Sequence, residues 1–219
     1  MRQLDGPRRE PRQGRIRGLV VLLHGYGANG EDLIALADEM AAVLPDVAFV
    51  APDAPEPLPD AGPAARQWFA LTFRDPHELW NGVSAAGPAL NKFLDAELQR
   101  YDLPPQRLAL VGFSQGTMMA LHVGLRRQIS PASIVGFSGL IAGPEHLAQD
   151  ITARPPVQLI HGELDDLIPF EALYMTRESL AAAGIPVEWH LRPGLGHGID
   201  PEGLRFATSF LGDSLQRGA

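Results

Sequence analysis

The sequence predicts an α/β fold in which helices cover both faces of a mostly parallel sheet. Short apolar runs of strand length alternate along the chain with longer segments whose apolar residues recur at helical spacing. The short runs are continuously apolar, as in "LVVLL" and "LALV", which is typical of strands buried on both faces. Such alternation predicts parallel strands joined by crossover helices, and 219 residues suffice for one domain of this kind.

Taken in order, the elements are interpreted from their apolar patterns and their end signals. The strands are placed at residues 16–25, 47–52, 107–113, 132–139, 157–162 and 187–192. The helices are placed at residues 29–44, 82–101, 115–127, 170–184 and 201–215. Pro88 falls near the first turns of the second helix, where proline is tolerated. Gly184 and Pro186 end the fourth helix, because neither residue type continues a helix readily.

Residues 1–17 are interpreted as an arginine-rich N-terminal arm, and residues 18–219 as the domain. The arm carries six arginines and two prolines and lacks the apolar core of a secretory signal. We expect it to be solvated, with docking to a partner as the alternative. The proline-rich stretch 52–63 is interpreted as a loop after a strand, because the chain on neither side of it could fold alone.

Composition and charge exclude several classes of function. The net charge of −8 argues against nucleic acid or an anionic membrane surface as the main partner. The absence of cysteine excludes disulfides, cysteine-based zinc sites and a cysteine nucleophile. No stretch approaches the roughly 20 apolar residues that span a membrane. We therefore expect a cytoplasmic protein without integral membrane association.

The stretch "GFSQG" holds the strongest candidate for a nucleophile, Ser114. It matches G-x-S-x-G and lies between a predicted strand and a predicted helix, as a nucleophile elbow requires. The alternative is a small residue at an ordinary strand-to-helix turn. The similar stretch "GFSGL" around Ser138 also follows a strand, but it lacks the second spaced glycine and no strong helical pattern follows it. We therefore predict that Ser114 is the nucleophile.

A serine needs a general base, which is nearly always a histidine oriented by a carboxylate. His197 lies in the glycine-rich loop "GLGHGIDPEG" between the last strand and the last helix, where it can reach over the edge of the sheet. His190 instead alternates with apolar residues inside a strand, and His161 is followed at once by a glycine at a strand end. We therefore assign His197 as the base.

The carboxylate should lie between the serine and the histidine, in the chain order that α/β-hydrolases share. Three acidic residues just past the fifth strand qualify: Glu163, Asp165 and Asp166. The alternative interpretation, a solvated acidic turn with no catalytic role, suits two of the three residues. Spacing alone does not choose which one orients the histidine.

Acyl transfer also needs an oxyanion hole, in which two N–H groups face the charge of the transition state. The N–H of Gln115 is one donor by its position directly after Ser114. The loop "LLHGYGANGED", after the first long strand, is the candidate for the other. A phosphate-cradling loop is the alternative there, but the stretch lacks both the Gly-Lys-Ser/Thr ending and the full G-x-G-x-x-G pattern.

Seven motifs in order, between about Leu19 and about Leu211, resemble the phospholipase/carboxylesterase family of small α/β-hydrolases. They are "LLHGYGANGEDL", "VAPDAP", "RQWF", "LVGFSQGTMMAL", "FSGL", "HGELDDLIP" and "GHGI". This family includes bacterial carboxylesterases and acyl-protein thioesterases. The resemblance implies an α/β-hydrolase fold without a large lid, and activity without a metal or other cofactor.

The resemblance also implies roles for single residues. The family pattern H-G-x-x-D-x-x-x-P aligns with residues 161–169 and assigns the carboxylate to Asp165. The first oxyanion donor is assigned to the residue before the His-Gly pair, here Leu23, and the second to Gln115. The chain departs from the family after "RQWF", where it has Ala70 in place of an aspartate. The aromatic and apolar residues of this segment could line a substrate groove or cover the core: Trp68, Phe69, Leu71 and Phe73.

These features together predict a serine carboxylesterase that hydrolyses short- to medium-chain carboxylic esters through an acyl-enzyme. The alternative within enzymes is a lysophospholipase or acyl-protein thioesterase that acts on long acyl chains. The alternative from another class is a non-catalytic binding module on a hydrolase fold. We expect a small-molecule ester or thioester as the partner and no nucleic acid, and apolar residues near the groove would make a homodimer unsurprising.

Overall fold

The computed structural model describes residues 4–11, 14–72, 75 and 77–217. The strands in this part of the chain are β1 (Arg8–Arg9), β2 (Gly18–Leu23), β3 (Val47–Val50), β4 (Glu56–Pro57), β5 (Arg66–Gln67), β6 (Leu108–Phe113), β7 (Ser133–Phe137), β8 (Val157–Gly162) and β9 (Val187–Arg192). The α-helices are α1 (Gly30–Ile34), α2 (Leu36–Val43), α3 (Glu78–Arg100), α4 (Gln115–Gly124), α5 (Leu147–Asp150), α6 (Glu171–Ala182) and α7 (Pro201–Arg217).

Seven of these strands form one sheet in the order β1-β3-β2-β6-β7-β8-β9. Among the described strands of this sheet, only β1 runs antiparallel to its neighbour, and the other pairs are parallel. Strands β4 and β5 form a separate two-stranded antiparallel sheet, with β4 inside the proline-rich stretch and β5 just after it. The predicted mostly parallel sheet is therefore confirmed.

The apolar strands are buried because helices cover both faces of the sheet. Alternate side chains of β2 point to opposite faces, so Leu19 and Val21 pack with α3, α4 and α6, whereas Val20 and Leu22 pack with α1, α2 and α7. All six residues of β2 are buried. This two-sided burial explains why the strands are continuous apolar runs in the sequence.

The two largest differences from the predicted helices concern the segment 29–44 and helix α3. The segment 29–44 is divided at Ala35 into α1 and α2, and Asn29 starts α1 with a capping box to Asp32. Helix α3 begins at Glu78, before the predicted start, so Pro88 lies well inside the helix and not in its first turns. An interior proline costs a helix about 3 kcal/mol. Packing of the apolar face of α3 against the sheet and α4 offsets this cost.

Part of the N-terminal arm packs against the domain and is not solvated as expected. Residues Arg8 and Arg9 pair with β3, and the side chain of Leu4 is buried. The Arg8 guanidinium donates two hydrogen bonds to the buried carboxylate of Glu97 on α3, at 2.9 and 2.6 Å. A two-residue strand has no periodicity from which the sequence could predict it. The division of the chain at residue 18 stays a prediction.

The carboxyl ends of the parallel strands lie along one edge of the sheet, where α/β proteins bind their ligands. Ser114, Asp165 and His197 follow the carboxyl ends of β6, β8 and β9, whereas Gln115 is the first residue of α4 and Leu23 is the last residue of β2. In the described part of the chain, no helix combines the length and apolar character needed to cross a membrane.

Candidate active site

Ser114 lies on a strained turn between β6 and α4. Its backbone angles are φ 54° and ψ −115°, in the left-handed half of the map that side chains rarely adopt. The flanking glycines are required by close approach, because a Cβ added at Gly116 would lie 1.9 Å from the carbonyl oxygen of Leu23. A Cβ added at Gly112 would lie 2.4 Å from the backbone of Gly116. The G-x-S-x-G pattern therefore forms the strand–turn–helix that the sequence predicted.

Hydrogen bonds hold this turn against the neighbouring strand. The N–H of Ser114 donates to the carbonyl of Phe137 at the end of β7, at 2.9 Å. The buried hydroxyl of Thr117, in the first turn of α4, lies 2.8 Å from the carbonyl oxygens of both Gly112 and Phe137. These contacts offset the strain at Ser114 by fixing both sides of the turn.

His197 and Asp165 form the second part of the site. The Nδ1 atom of His197 lies 2.8 Å from Oδ2 of Asp165. A carboxylate accepts hydrogen bonds, so Nδ1 carries a proton, and in the neutral imidazole Nε2 is then the nitrogen with the free lone pair. The ring of His197 also packs on Phe113, next to Ser114, with ring centroids 4.9 Å apart. The histidine is thus oriented with a basic nitrogen available.

Asp165 remains ionised although it is buried. Burial raises the pKa of its carboxyl, but hydrogen bonds from the N–H of Ile168, from His197 and from the N–H of Leu167 outweigh this effect and lower the pKa. Oδ1 accepts both backbone hydrogen bonds, at 3.0 Å from Leu167 and 2.9 Å from Ile168. The other acidic candidates are placed differently: the Glu163 carboxylate accepts the N–H of Gly194, and Asp166 is exposed.

Ser114 and His197 line one cleft with a volume of about 670 Å³. Apolar side chains form most of its walls: Leu71, Leu79, Phe113, Met118, Leu140, Leu167, Ile168, Pro169, Ala172 and Met175. Tyr26 and Gln115 also line it, and Glu171 contributes a carboxylate. The cleft therefore combines a serine and a histidine with a surface suited to an apolar chain.

A buried polar network fixes the loop beside Ser114. The side-chain amide of Gln115 accepts a hydrogen bond from the N–H of Trp68 and donates one to the carbonyl of Phe69. The indole N–H of Trp68 donates to the carbonyl of His24, 2.9 Å away. The His24 ring donates from Nδ1 to Gly25 and accepts the N–H of a neighbouring loop at Nε2, and burial lowers its pKa. A neutral His24 is what these two hydrogen bonds require.

The model of the phospholipase/carboxylesterase family matches residues 7–215 of the chain. The chain belongs to this family. The resemblance carried by the sequence motifs is therefore confirmed, and so is the α/β-hydrolase fold.

Similar proteins support the same class of activity. The solved structure of esterase PE8 is 41% identical, with a TM-score of 0.92, and the match covers 96% of this chain and 99% of that one. Esterase YpfH of Escherichia coli is 29% identical over 88% of this chain and 81% of its own length. Acyl-protein thioesterase 1 of Gibberella zeae is 34% identical, over 51% of this chain and 49% of that enzyme. The chain is a carboxylic ester hydrolase, which confirms the expected enzyme and not the binding module.

The structure does not bring Leu23 to the cleft. Leu23 is the last residue of β2, is fully buried and pairs with Gly112 within the sheet. The chain leaves the sheet only after this residue, and Tyr26 is the residue of the following loop whose large side chain lines the cleft. The assignment of Leu23 as an oxyanion donor therefore does not fit this geometry.

The predicted groove residues separate into different environments. Trp68 and Phe69 are buried in the core, so the groove interpretation is wrong for both, and the Gln115 side chain holds their backbone there. Leu71 does line the cleft. Phe73 lies outside the described residues. Several cleft residues were not predicted from the sequence: Tyr26, Leu79, Met118, Leu140, Leu167, Ile168 and Met175.

Proposed function

We propose that this chain is a serine carboxylesterase in which Ser114, His197 and Asp165 act as a catalytic triad on short- to medium-chain esters. The observation that carries the proposal is the 2.8 Å hydrogen bond from His197 Nδ1 to Asp165 Oδ2. In the neutral imidazole this bond places the free lone pair on Nε2, and His197 lines the same cleft as Ser114.

In the first half of the reaction, Ser114 Oγ attacks the ester carbonyl while His197 Nε2 takes its proton. The C–O bond to the alcohol then breaks as His197 returns that proton to the leaving oxygen. In the second half, water attacks the acyl-enzyme with His197 again as the base, and the acid departs from Ser114. Asp165 holds the imidazole in one tautomer and stabilises its positive charge in both halves.

The proposed oxyanion donors are the N–H groups of Gln115 and Tyr26. Gln115 is the first residue of α4, where helix N–H groups have no partner within the helix. In the opposite loop, the N–H groups of Gly27 and Ala28 already donate to the carbonyls of Arg66 and Gly25. Tyr26 lines the cleft and therefore replaces Leu23 in this role. Loss of one such donor typically costs about 3 kcal/mol in the transition state.

The apolar walls support an uncharged acyl group as the part of the substrate that the cleft binds. Each buried methylene adds about 0.8 kcal/mol, or roughly a fourfold gain in binding. Long acyl esters or thioesters are the second candidate substrates. The exposed side chains of Leu167 and Met175, at 70% and 68%, favour them, because these residues extend the apolar surface at the cleft. A cytoplasmic location and a homodimer stay predictions from the sequence.

The test is hydrolysis of p-nitrophenyl esters from acetyl to dodecanoyl, with matched acyl thioesters and with Ser114→Ala as the control. We expect kcat/KM to rise with chain length, to reach its maximum at short to medium chains, and to vanish in the variant. A maximum at the longest chains would select the second candidate. Activity that survives in Ser114→Ala would contradict the triad.

A further inference from the structure

The side chain of His161 is buried directly behind Asp165. It lies near the end of β8, is 1% exposed, and does not line the cleft that contains Ser114. Its Nε2 atom lies 2.8 Å from the carbonyl oxygen of Ile168 and 3.2 Å from Oδ2 of Asp165. Both neighbours are acceptors, so Nε2 must carry the proton. His161 therefore cannot serve as the base for Ser114, but it does contact the carboxylate that orients His197.

Two histidines approach one oxygen of Asp165. Oδ2 lies 2.8 Å from Nδ1 of His197 and 3.2 Å from Nε2 of His161. The other oxygen, Oδ1, accepts the N–H groups of Leu167 and Ile168. The carbonyl of Ile168 in turn accepts from His161. The carboxylate and the turn that carries it are thus held from both sides, and one wall of the cleft belongs to the same turn.

We propose that His161 is a positioning residue that acts through Asp165, which rests on the proposed triad. It fixes the rotamer of the carboxylate and withdraws part of the charge of Oδ2 from His197. A carboxylate oxygen that also lies beside the Nε2–H group of His161 holds the imidazolium of His197 less tightly, so the proton returns more readily to the leaving group. Other nearby charges are engaged elsewhere, because Glu163 binds Gly194 and Arg192 pairs with Asp200. Glu171 lies on the cleft wall.

The test compares three variants by the pH dependence of kcat/KM and by kcat and KM separately. His161→Leu removes the donor, His161→Gln keeps an amide donor near the position of Nε2, and His190→Leu is the control on the adjacent strand. For His161→Leu we expect kcat to fall about tenfold to a hundredfold with KM nearly unchanged. We also expect the acid limb of kcat/KM to move up by about half a pH unit to one unit, because Oδ2 then serves His197 alone.

In His161→Gln, kcat and the position of the acid limb of kcat/KM should return towards those of the wild type. His190→Leu should leave both quantities unchanged. A fall in kcat with a fixed acid limb would mean that His161 is only structural and would overturn the inference, as would wild-type kinetics in His161→Leu. If His161→Leu does not fold, ¹⁵N NMR of the wild-type histidine rings decides. We expect the ring signal that disappears in His161→Gln to carry its proton on Nε2, and a proton on Nδ1 instead would overturn the inference.

Failure of this inference differs from failure of the proposed function. If Ser114→Ala is inactive and His161→Leu behaves as the wild type, only the positioning role is wrong. If Ser114→Ala retains activity, the triad itself is wrong, whatever the His161 variants do.

Discussion

Ser114 and Ser138 occupy equivalent places on adjacent strands. Each directly follows the end of a parallel strand, and the preceding residues, Phe113 and Phe137, are paired in register. Both serines have a positive φ, of 54° and 44°. Each N–H donates to a carbonyl of the next strand, from Ser114 to Phe137 and from Ser138 to Ile160, at 2.9 Å in both cases.

The two serines differ in the next element of the chain and in the surroundings of their side chains. Helix α4 begins directly after Ser114, whose side chain lines the cleft with His197. Among the described residues, no helix begins directly after Ser138, whose side chain is 1% exposed and whose hydroxyl lies 3.5 Å from the carbonyl of Gly198. A strained turn at a strand end is therefore not enough for a nucleophile. The adjoining helix and an accessible histidine distinguish the two positions.

The largest expected effect is the contrast between alanine substitutions at these serines. Ser114→Ala should lower kcat by about 10⁶-fold, as expected when the nucleophile of a triad is removed. It should also abolish labelling by a fluorophosphonate, measured by mass spectrometry of the intact protein. Ser138→Ala serves as the control and should label like the wild type. Labelling that persists in Ser114→Ala would place the nucleophile elsewhere.

The second largest effect is expected at Asp165, the carboxylate that orients His197 as the base for Ser114. Asp165→Asn should lower kcat by about 10⁴-fold, because an amide can hold His197 in the wrong tautomer. Steady-state hydrolysis of a p-nitrophenyl ester measures it, and Asp166→Asn is the matched control on the adjacent, exposed residue. A larger loss in Asp166→Asn than in Asp165→Asn would reverse the assignment.

The close approach of α4 to β2 predicts a large loss of stability in Gly116→Ala. The added Cβ would lie 1.9 Å from the carbonyl of Leu23, so we expect the free energy of unfolding to fall by about 3 kcal/mol. Urea denaturation measures this change. Gly196→Ala is the control, because its added Cβ would lie 3.7 Å from the nearest atom, in ordinary contact. Equal urea midpoints of unfolding for the two variants would show that the turn at Ser114 is not tightly packed.

Acidification should weaken the folded state through Asp165. Its pKa is lowered on folding, so its contribution to stability is present above the unfolded pKa, near 3.8, and is lost as the pH falls towards the lower folded value. The free energies of unfolding of the wild type and Asp165→Asn should therefore converge between about pH 5 and about pH 3. Urea denaturation across this range measures the convergence. A constant difference would contradict the lowered pKa.

The smallest expected effect is that of Ser138→Ala on stability and rate. Its hydroxyl makes only a long contact with Gly198, so removal should cost less than about 1 kcal/mol. We expect kcat to stay within about twofold of the wild type, since no reacting group is lost. A tenfold loss of kcat would mean that Ser138 supports the loop of His197. Both serines would then contribute to the reaction, although only Ser114 lines the cleft.

The sequence by itself determined the elements whose signals are local. Continuous apolar runs marked the inner parallel strands such as β2 and β6, because burial on both faces favours apolar residues at successive positions, whereas the edge strand β9 is partly exposed and alternates. The two glycines around Ser114 marked the elbow, because only glycine allows the backbone of α4 to approach β2 so closely. The family motifs assigned the activity class and pointed to Asp165.

Tertiary structure decided the features that depend on partners far away in the chain. Leu23 stays within the sheet, and in this part of the chain the residues that line the cleft belong to the loop after it, such as Tyr26. Trp68 is buried and not in the groove, because the Gln115 side chain, 47 positions away, binds its backbone. Arg8 docks on Glu97, 89 positions away. Local sequence patterns indicate which residues are buried. The hydrogen-bond partner of a backbone or charged group depends on which distant segments pack together in the folded chain.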